Sequence, residues 1–176
     1  MHRLVPLAVV SMLAACQPTP PADVIADPSL STTLYQVLVD SLRATAPAVL
    51  QDSTMPVGGD QHIWEARSRD EVPSAYRAAL AALLDQRRAA VELPAHLLRL
   101  PAGLVWQSWH PDPGARSGRR TMLAVSEVGF SPDSTVAVVY LESDCGIQCA
   151  GGRLALMRRG ADGSWEVERF VQLWAS

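Results

Sequence analysis

The sequence predicts an α+β fold in which N-terminal helices pack on a C-terminal antiparallel meander of about four strands. Residues 121–174 consist of short apolar runs separated by Gly, Pro, Asp and Ser, which is typical of strands joined by tight turns. Two stretches before residue 93 instead repeat their apolar residues at helical spacing. One predicted strand is apolar on both faces, so it needs a helical layer as cover.

The predicted meander contains four runs, at residues 122–128, 135–142, 153–159 and 164–173. The second run is apolar at both odd and even positions, so we expect it to be a central strand. In the last run four apolar residues share one parity and should point inward, whereas Glu166, Glu168 and Gln172 share the other. The inward set comprises Trp165, Val167, Val171 and Leu173. Phe170 and Trp174 break this pattern, which we interpret as partial cover or a bulge.

The same region contains a pattern of short motifs. They are Ser126-x-Val128-Gly129-Phe130, Asp133-x-Thr135-x-Ala137, Val139-Tyr140, Cys145-Gly146-x-x-Cys149-x-Gly151 and a tryptophan near the end. With these residues the region resembles a family of uncharacterised bacterial secreted proteins and lipoproteins, although Ala150 stands where the pattern has a glycine. The similarity covers residues 121–176 and implies no activity, because no function is established for that family.

The N-terminus resembles a bacterial lipoprotein signal. Residues 1–15 form a short basic region and an apolar run that ends in Leu13-Ala14-Ala15 before Cys16. The apolar run is shorter than the ~20 residues of a membrane-spanning helix. We therefore predict a cleaved signal peptide and a lipidated Cys16, whose several acyl chains would anchor the protein stably. Gln17 follows the cysteine in place of an inner-membrane retention aspartate, which favours the outer membrane, facing the periplasm.

The segment between the anchor and the folded domain is rich in proline. Residues 16–27 should therefore form a semi-rigid tether, and residues 28–176 a single domain. Asp27-Pro28-Ser29 predicts a helix start, and leucine and valine then recur at helical spacing to about residue 45. Residues 48–50 predict a short strand. A second helix begins near Pro73, with an apolar stripe made of Tyr76, Leu80, Leu83, Leu84 and Val91.

Composition excludes several classes of function. The net charge is −3, and a negatively charged protein is repelled by the phosphate backbone, so we predict no nucleic-acid partner. The chain contains no lysine, so a phosphate-loop lysine, a Schiff-base lysine and a Ser-Lys dyad are impossible. No Gly-x-Ser-x-Gly nucleophile elbow occurs either.

Cys145 and Cys149 lie in a glycine-containing loop between two predicted strands. Beyond the inner membrane the compartment is oxidising, so a local structural disulfide is the plain interpretation. A redox pair is the alternative. It is less favoured because three residues separate the thiols, where thioredoxin-like sites have two, and no helix N-terminus is evident to lower a thiol pKa.

Histidines supply the other candidate chemistry. His62 with Glu65, and His110 with Asp112, are the only local pairs that suggest metal ligation or acid–base catalysis. A three-histidine zinc site would need His62, His96 and His110 to converge from separate segments. Exposed or half-buried structural histidines are the commoner outcome, so we predict no metal and no cofactor.

The sequence thus predicts a membrane-anchored envelope lipoprotein with a non-catalytic binding or interaction domain. Its partners would be the membrane, through the lipid anchor, and an envelope protein or polymer. The alternative is an envelope enzyme, either a thiol-redox protein using Cys145 and Cys149 or a hydrolase using His62 or His110. The absence of a catalytic motif favours the binding domain.

Overall fold

The computed structural model describes residues 28–42, 48–55, 57, 65, 69–85, 90–108, 121–145 and 149–176. The predicted signal peptide, Cys16 and the tether lie outside these residues, as do His62 and His110. No helix within the described part of the chain is both long and apolar enough to span a bilayer.

The fold is built on a six-stranded mixed sheet. Its strand order is β2-β1-β3-β4-β5-β6. The strands are β1 (Ala48–Gln51), β2 (Leu104–Gln107), β3 (Thr121–Phe130), β4 (Val136–Asp144), β5 (Gly151–Arg159) and β6 (Trp165–Ala175). Strands β3 to β6 pair antiparallel in succession, so the predicted meander is confirmed.

The prediction of about four strands understates the sheet. β1 pairs in parallel with both β2 and β3, which extends the meander by two strands. The sequence predicts β1 as a strand but does not predict β2. Each of the two has only 4 residues, too few to show a clear period, and parallel partners come from distant parts of the chain.

Helices on both faces of the sheet contact its strands. Helix α1 is Pro28–Ser41, and helix α2 is Arg77–Asp85, which follows a 3₁₀ turn at Ser74–Tyr76. α1 contacts β6, and α2 contacts β3 and β4. The prediction that Val91 belongs to the apolar stripe of the second helix is wrong. It lies outside α2, is 46% exposed, and its backbone groups hydrogen-bond to Thr54. That the N-terminal helices together form a layer on the meander remains a prediction.

Strand β4 is central, as predicted, and separates two apolar clusters. Ala137, Val139 and Leu141 join the cluster that includes Leu34 and Leu38 of α1, here called the α1-side core. Val136, Val138 and Tyr140 join the cluster that includes α2, here called the α2-side core. Residues Val136 to Leu141 are all buried, because each face of the strand has its own cover.

The prediction that the last strand has one inward parity is wrong. Trp165 and Val167 lie in or against the α1-side core, whereas Val171 and Leu173 lie in the α2-side core. The pairing of β6 with β5 shifts register twice, between Leu156 and Met157 and between Gly152 and Arg153 of β5. An extra residue at a bulge moves the following side chains to the opposite face. The predicted bulge therefore exists, and it also explains Phe170, which packs against the α1-side core.

Glu168 stands at the first bulge and makes specific contacts. Its Oε2 accepts a hydrogen bond from the buried Tyr76 hydroxyl at 2.8 Å and another from Arg158 Nε at 2.6 Å. These bonds, first that from Arg158 and then that from Tyr76, lower the pKa of the Glu168 carboxyl. Burial, followed by the hydrogen bond and charge of Glu168, raises the pKa of Tyr76 to about 12. Glu168 thus links Tyr76 to β5 and is more than a solvent-facing charge.

Candidate functional site

The structure places Cys145 and Cys149 at disulfide distance, with Cα atoms 5.4 Å apart. Both residues are exposed, directly after β4 and shortly before β5. The loop therefore closes one end of the β4–β5 hairpin, where a disulfide would act as a staple.

The structure brings no histidine into a site within the described residues. His96 is exposed on a turn in which Leu97 N–H bonds to the Pro94 carbonyl. His62 and His110 lie outside the described residues. Among the residues that are described, no group of three His, Cys, Asp or Glu side chains could hold a metal ion.

The most distinctive polar arrangement lies on the α2 side of the sheet, beside the cysteine loop. It consists of Tyr140, Glu142, Gly152 and Trp174, which we call the Glu142 cluster. Glu142 pairs in register with Gly152, and Gly152 pairs with Trp174, so the three form one row across β4, β5 and β6. Tyr140 precedes Glu142 by two residues and therefore lies on the same face.

Three polar side chains in the cluster form a directed chain of hydrogen bonds. Trp174 Nε1–H donates to the Tyr140 hydroxyl oxygen at 2.9 Å. The Tyr140 hydroxyl donates in turn to Glu142 Oε2 over a longer distance of 3.4 Å. Both hydrogen bonds are directed towards the carboxylate, so the dipoles of the two donors favour negative charge on Glu142.

Gly152 makes this series of hydrogen bonds possible because it has no side chain. A Cβ atom at this position would lie 2.1 Å from Trp174 Nε1 and 2.4 Å from the Tyr140 hydroxyl oxygen. Such distances are far below contact, so any other residue would push the indole and the phenol apart. A glycine in a strand interior often marks a close approach of this kind.

Burial dominates the electrostatics of the cluster. It raises the pKa of the Glu142 carboxyl, and the Asp144 carboxylate raises it further, whereas the Tyr140 hydrogen bond opposes them. Burial also raises the pKa of Tyr140 to about 12, so this phenol stays protonated and remains a donor to Glu142. Burial therefore destabilises the ionised form of the half-buried Glu142 carboxyl, and the hydrogen bond from Tyr140 offsets this only in part.

We expect Glu142→Gln to stabilise the protein at pH 7 and to have little effect on its stability below pH 4. The folded-state pKa of Glu142 lies above its ordinary 4.5, so the stabilisation from its proton is lost as the pH rises through that raised value. The glutamine removes the charge and keeps an acceptor for Tyr140. Urea unfolding of both proteins from pH 3 to 8 measures the difference, with Glu166→Gln, at an exposed position of β6, as the control. A constant difference across this range would contradict the prediction.

Several residues of the resemblance motif have structural roles at other positions. Ser126 lies where β3 shifts register, and its Oγ accepts the Tyr140 N–H at 2.9 Å while its carbonyl accepts the Tyr35 hydroxyl at 3.0 Å. Asp133 Oδ1 accepts bonds from Ser131 and Thr135 in the β3–β4 turn. These two residues hold strands and turns in place, whereas Tyr140 and the late tryptophan of the same motif belong to the Glu142 cluster.

No family model, curated protein or solved structure matches this chain. The resemblance of residues 121–176 to secreted proteins and lipoproteins therefore stays a prediction. The Glu142 cluster was missed from the sequence because Glu142 stands at the polar end of an apolar strand, where a carboxylate is unremarkable. The available signal was Gly152 after the cysteine loop, together with a late tryptophan.

Proposed function

We propose that this protein is a lipid-anchored envelope protein whose sheet domain binds a partner without catalysing a reaction. The signal-like residues 1–15 and Cys16 support the anchor, and the proline-rich residues 16–27 would hold the domain away from the membrane. In this proposal the N-terminal helices form a layer on the meander and leave the end of the sheet near the cysteine loop for the partner.

The observation that carries the binding proposal is the position of Glu142. Its carboxylate ends a chain of donors, and within the described residues its hydrogen bond is the long one from Tyr140. A half-buried carboxylate with spare acceptor capacity is stabilised by a donor, most strongly by a cationic one. Trp174 is only partly buried beside it and offers an aromatic surface for the same group. The partner should therefore present an ammonium or guanidinium group, such as a basic side chain of an envelope protein.

A short tetralysine peptide tests the binding site on the folded protein. We expect it to shift the Nε1–H resonance of Trp174 saturably, because this proton lies two hydrogen bonds from the Glu142 carboxylate. The resonance is assigned with Trp174→Phe, and a tetraglycine peptide is the neutral reference. The shift should disappear in Glu142→Gln and persist in Glu166→Gln. An equal shift in Glu142→Gln would refute the site.

Cys16→Ser tests the anchor separately. We expect the wild-type protein to fractionate with membranes and to carry an acylated Cys16 as its mature N-terminus, detectable by mass spectrometry. The serine variant has no thiol to acylate and should lose both properties. Unchanged membrane fractionation of Cys16→Ser, or a mature wild-type chain that begins elsewhere, would contradict the anchor without affecting the Glu142 site.

A further inference from the structure

A half-buried arginine, Arg153, lies at the same end of the sheet as the Glu142 cluster but on the opposite face. Among the described residues it has no anionic partner. Arg153 on β5 places its guanidinium carbon 4.3 Å from the centre of the Phe170 ring on β6. Its neighbours in register, Leu141 and Gln172, are uncharged. An ion pair joins Arg158 to Glu168 on the same two strands, and it does not include Arg153.

The strand geometry explains why Arg153 reaches Phe170. Arg153 pairs with Gln172, and Phe170 lies two residues before Gln172 on the same face, so the two are diagonal neighbours. The pairing of β5 with β6 shifts between Gly152 and Arg153, and such a bulge redirects the side chain beside it. Phe170 in turn packs against the α1-side core, which fixes the ring under the guanidinium.

The contact with the ring leaves hydrogen-bonding capacity unused. A cation over an aromatic face interacts through the ring quadrupole and does not consume N–H donors. The guanidinium has five such donors in a planar fork that matches the two oxygens of a carboxylate or phosphate. Burial lowers the pKa of Arg153, which reflects the same loss of hydration without a compensating anion.

We infer that Arg153, held over Phe170, is a binding site for an oxyanion, recognised through the free edge of the guanidinium. The site lies on the α1 face of the sheet, whereas the Glu142 cluster lies on the α2 face, so the two sites are independent. The ligand would carry a carboxylate or a phosphate group, and it would supply the anionic partner that the guanidinium otherwise lacks.

The test is a titration of the full chain in detergent, followed through the Nε–H resonance of Arg153. Sodium phosphate and sodium acetate are added separately at pH 6, with ionic strength held constant by sodium chloride. We expect a saturable shift in the millimolar range, on the order of a few mM, and a rise in Tm by linkage. A response to phosphate alone indicates a phosphate-bearing ligand, to acetate alone a carboxylate, and to both the shared oxyanion chemistry; each supports the site.

Variants of Arg153 distinguish anion binding from a role in which the side chain only covers the Phe170 ring. Arg153→Lys keeps the charge but loses the planar fork, so affinity should fall roughly ten-fold. Arg153→Met keeps an apolar contact with Phe170 and should lose the anion-dependent rise in Tm, whereas Arg159→Met, an exposed change on the same strand, should retain it. If Arg153→Met does not fold, the wild-type resonance still decides. No shift beyond that of chloride would show that Arg153 only covers Phe170, and would overturn the inference.

Discussion

Val138→Asp is expected to destabilise the protein by at least about 4 kcal/mol, enough to unfold most of a marginally stable domain. Val138 is 0% exposed, belongs to the central strand β4, and lies in the α2-side core. An ionised carboxylate there would lose its hydration and find no cationic partner. Urea unfolding followed by circular dichroism measures the change in the free energy of unfolding.

Two further variants isolate the charge from the loss of volume. Val138→Ala removes apolar atoms without adding charge and should cost about 2 kcal/mol. Acidification should partly rescue Val138→Asp, because the neutral acid is cheaper to bury. Glu168→Gln is unsuitable as a surface control, since Glu168 binds both Tyr76 and Arg158. Glu166→Gln, at an exposed position of the same strand, serves instead. If the aspartate and alanine variants were equally stable, the assigned burial of Val138 would be wrong.

Gly129→Ala is expected to cost about 3 kcal/mol or more, because β3 and α2 approach each other closely at this glycine. A Cβ at Gly129 would lie 2.2 Å from the Ala79 carbonyl oxygen and 2.6 Å from the Leu83 backbone nitrogen. Both atoms belong to the backbone of α2, so no side-chain rotation relieves the overlap and the whole helix must move. Thermal unfolding measures the cost, and loss of amide protection in α2 would localise it.

Gly151→Ala is the matched control for this substitution. Gly151 also lies in a strand of the sheet, but the atoms nearest to an added methyl group would be 3.3 Å away, at the Gln172 side-chain nitrogen and the Trp174 carbonyl oxygen. A shift of a few tenths of an ångström accommodates that methyl group, so we expect a change within about 1 kcal/mol. Equal losses for the two variants would mean that α2 does not pack on Gly129.

The bulges of β6 cannot be predicted from the sequence of that strand alone. Alternation along this strand predicts one inward face, and it does so correctly for Trp165 and Val167 against the α1-side core. Beyond Glu168 the same parity belongs to the other core. An inserted residue is visible only in the pairing with β5, because alternation is a property of one strand and register is a property of two.

The Glu142 cluster and the Arg153 site likewise depend on the pairing between strands and not on the sequence of one strand. Tyr140, Glu142 and Trp174 are separated by up to 34 residues in the chain and meet because Gly152 lies between their strands without a side chain. Arg153 reaches Phe170 because a bulge lies beside it. Each arrangement joins residues of different strands, so neither forms a short sequence motif. The two cysteines, in contrast, are only 4 residues apart.

Sequence patterns alone are enough to predict the four-stranded meander, the central position of β4 and the closeness of Cys145 and Cys149. Each of these follows from local spacing, tight turns or the apolarity of a single segment. Three other features are visible only in the folded protein: β1 and β2 extend the sheet in parallel, β6 divides its side chains between two cores, and Gly129 allows α2 to pack closely on β3. These features depend on contacts between segments distant in the chain, where packing and pairing outweigh local preference.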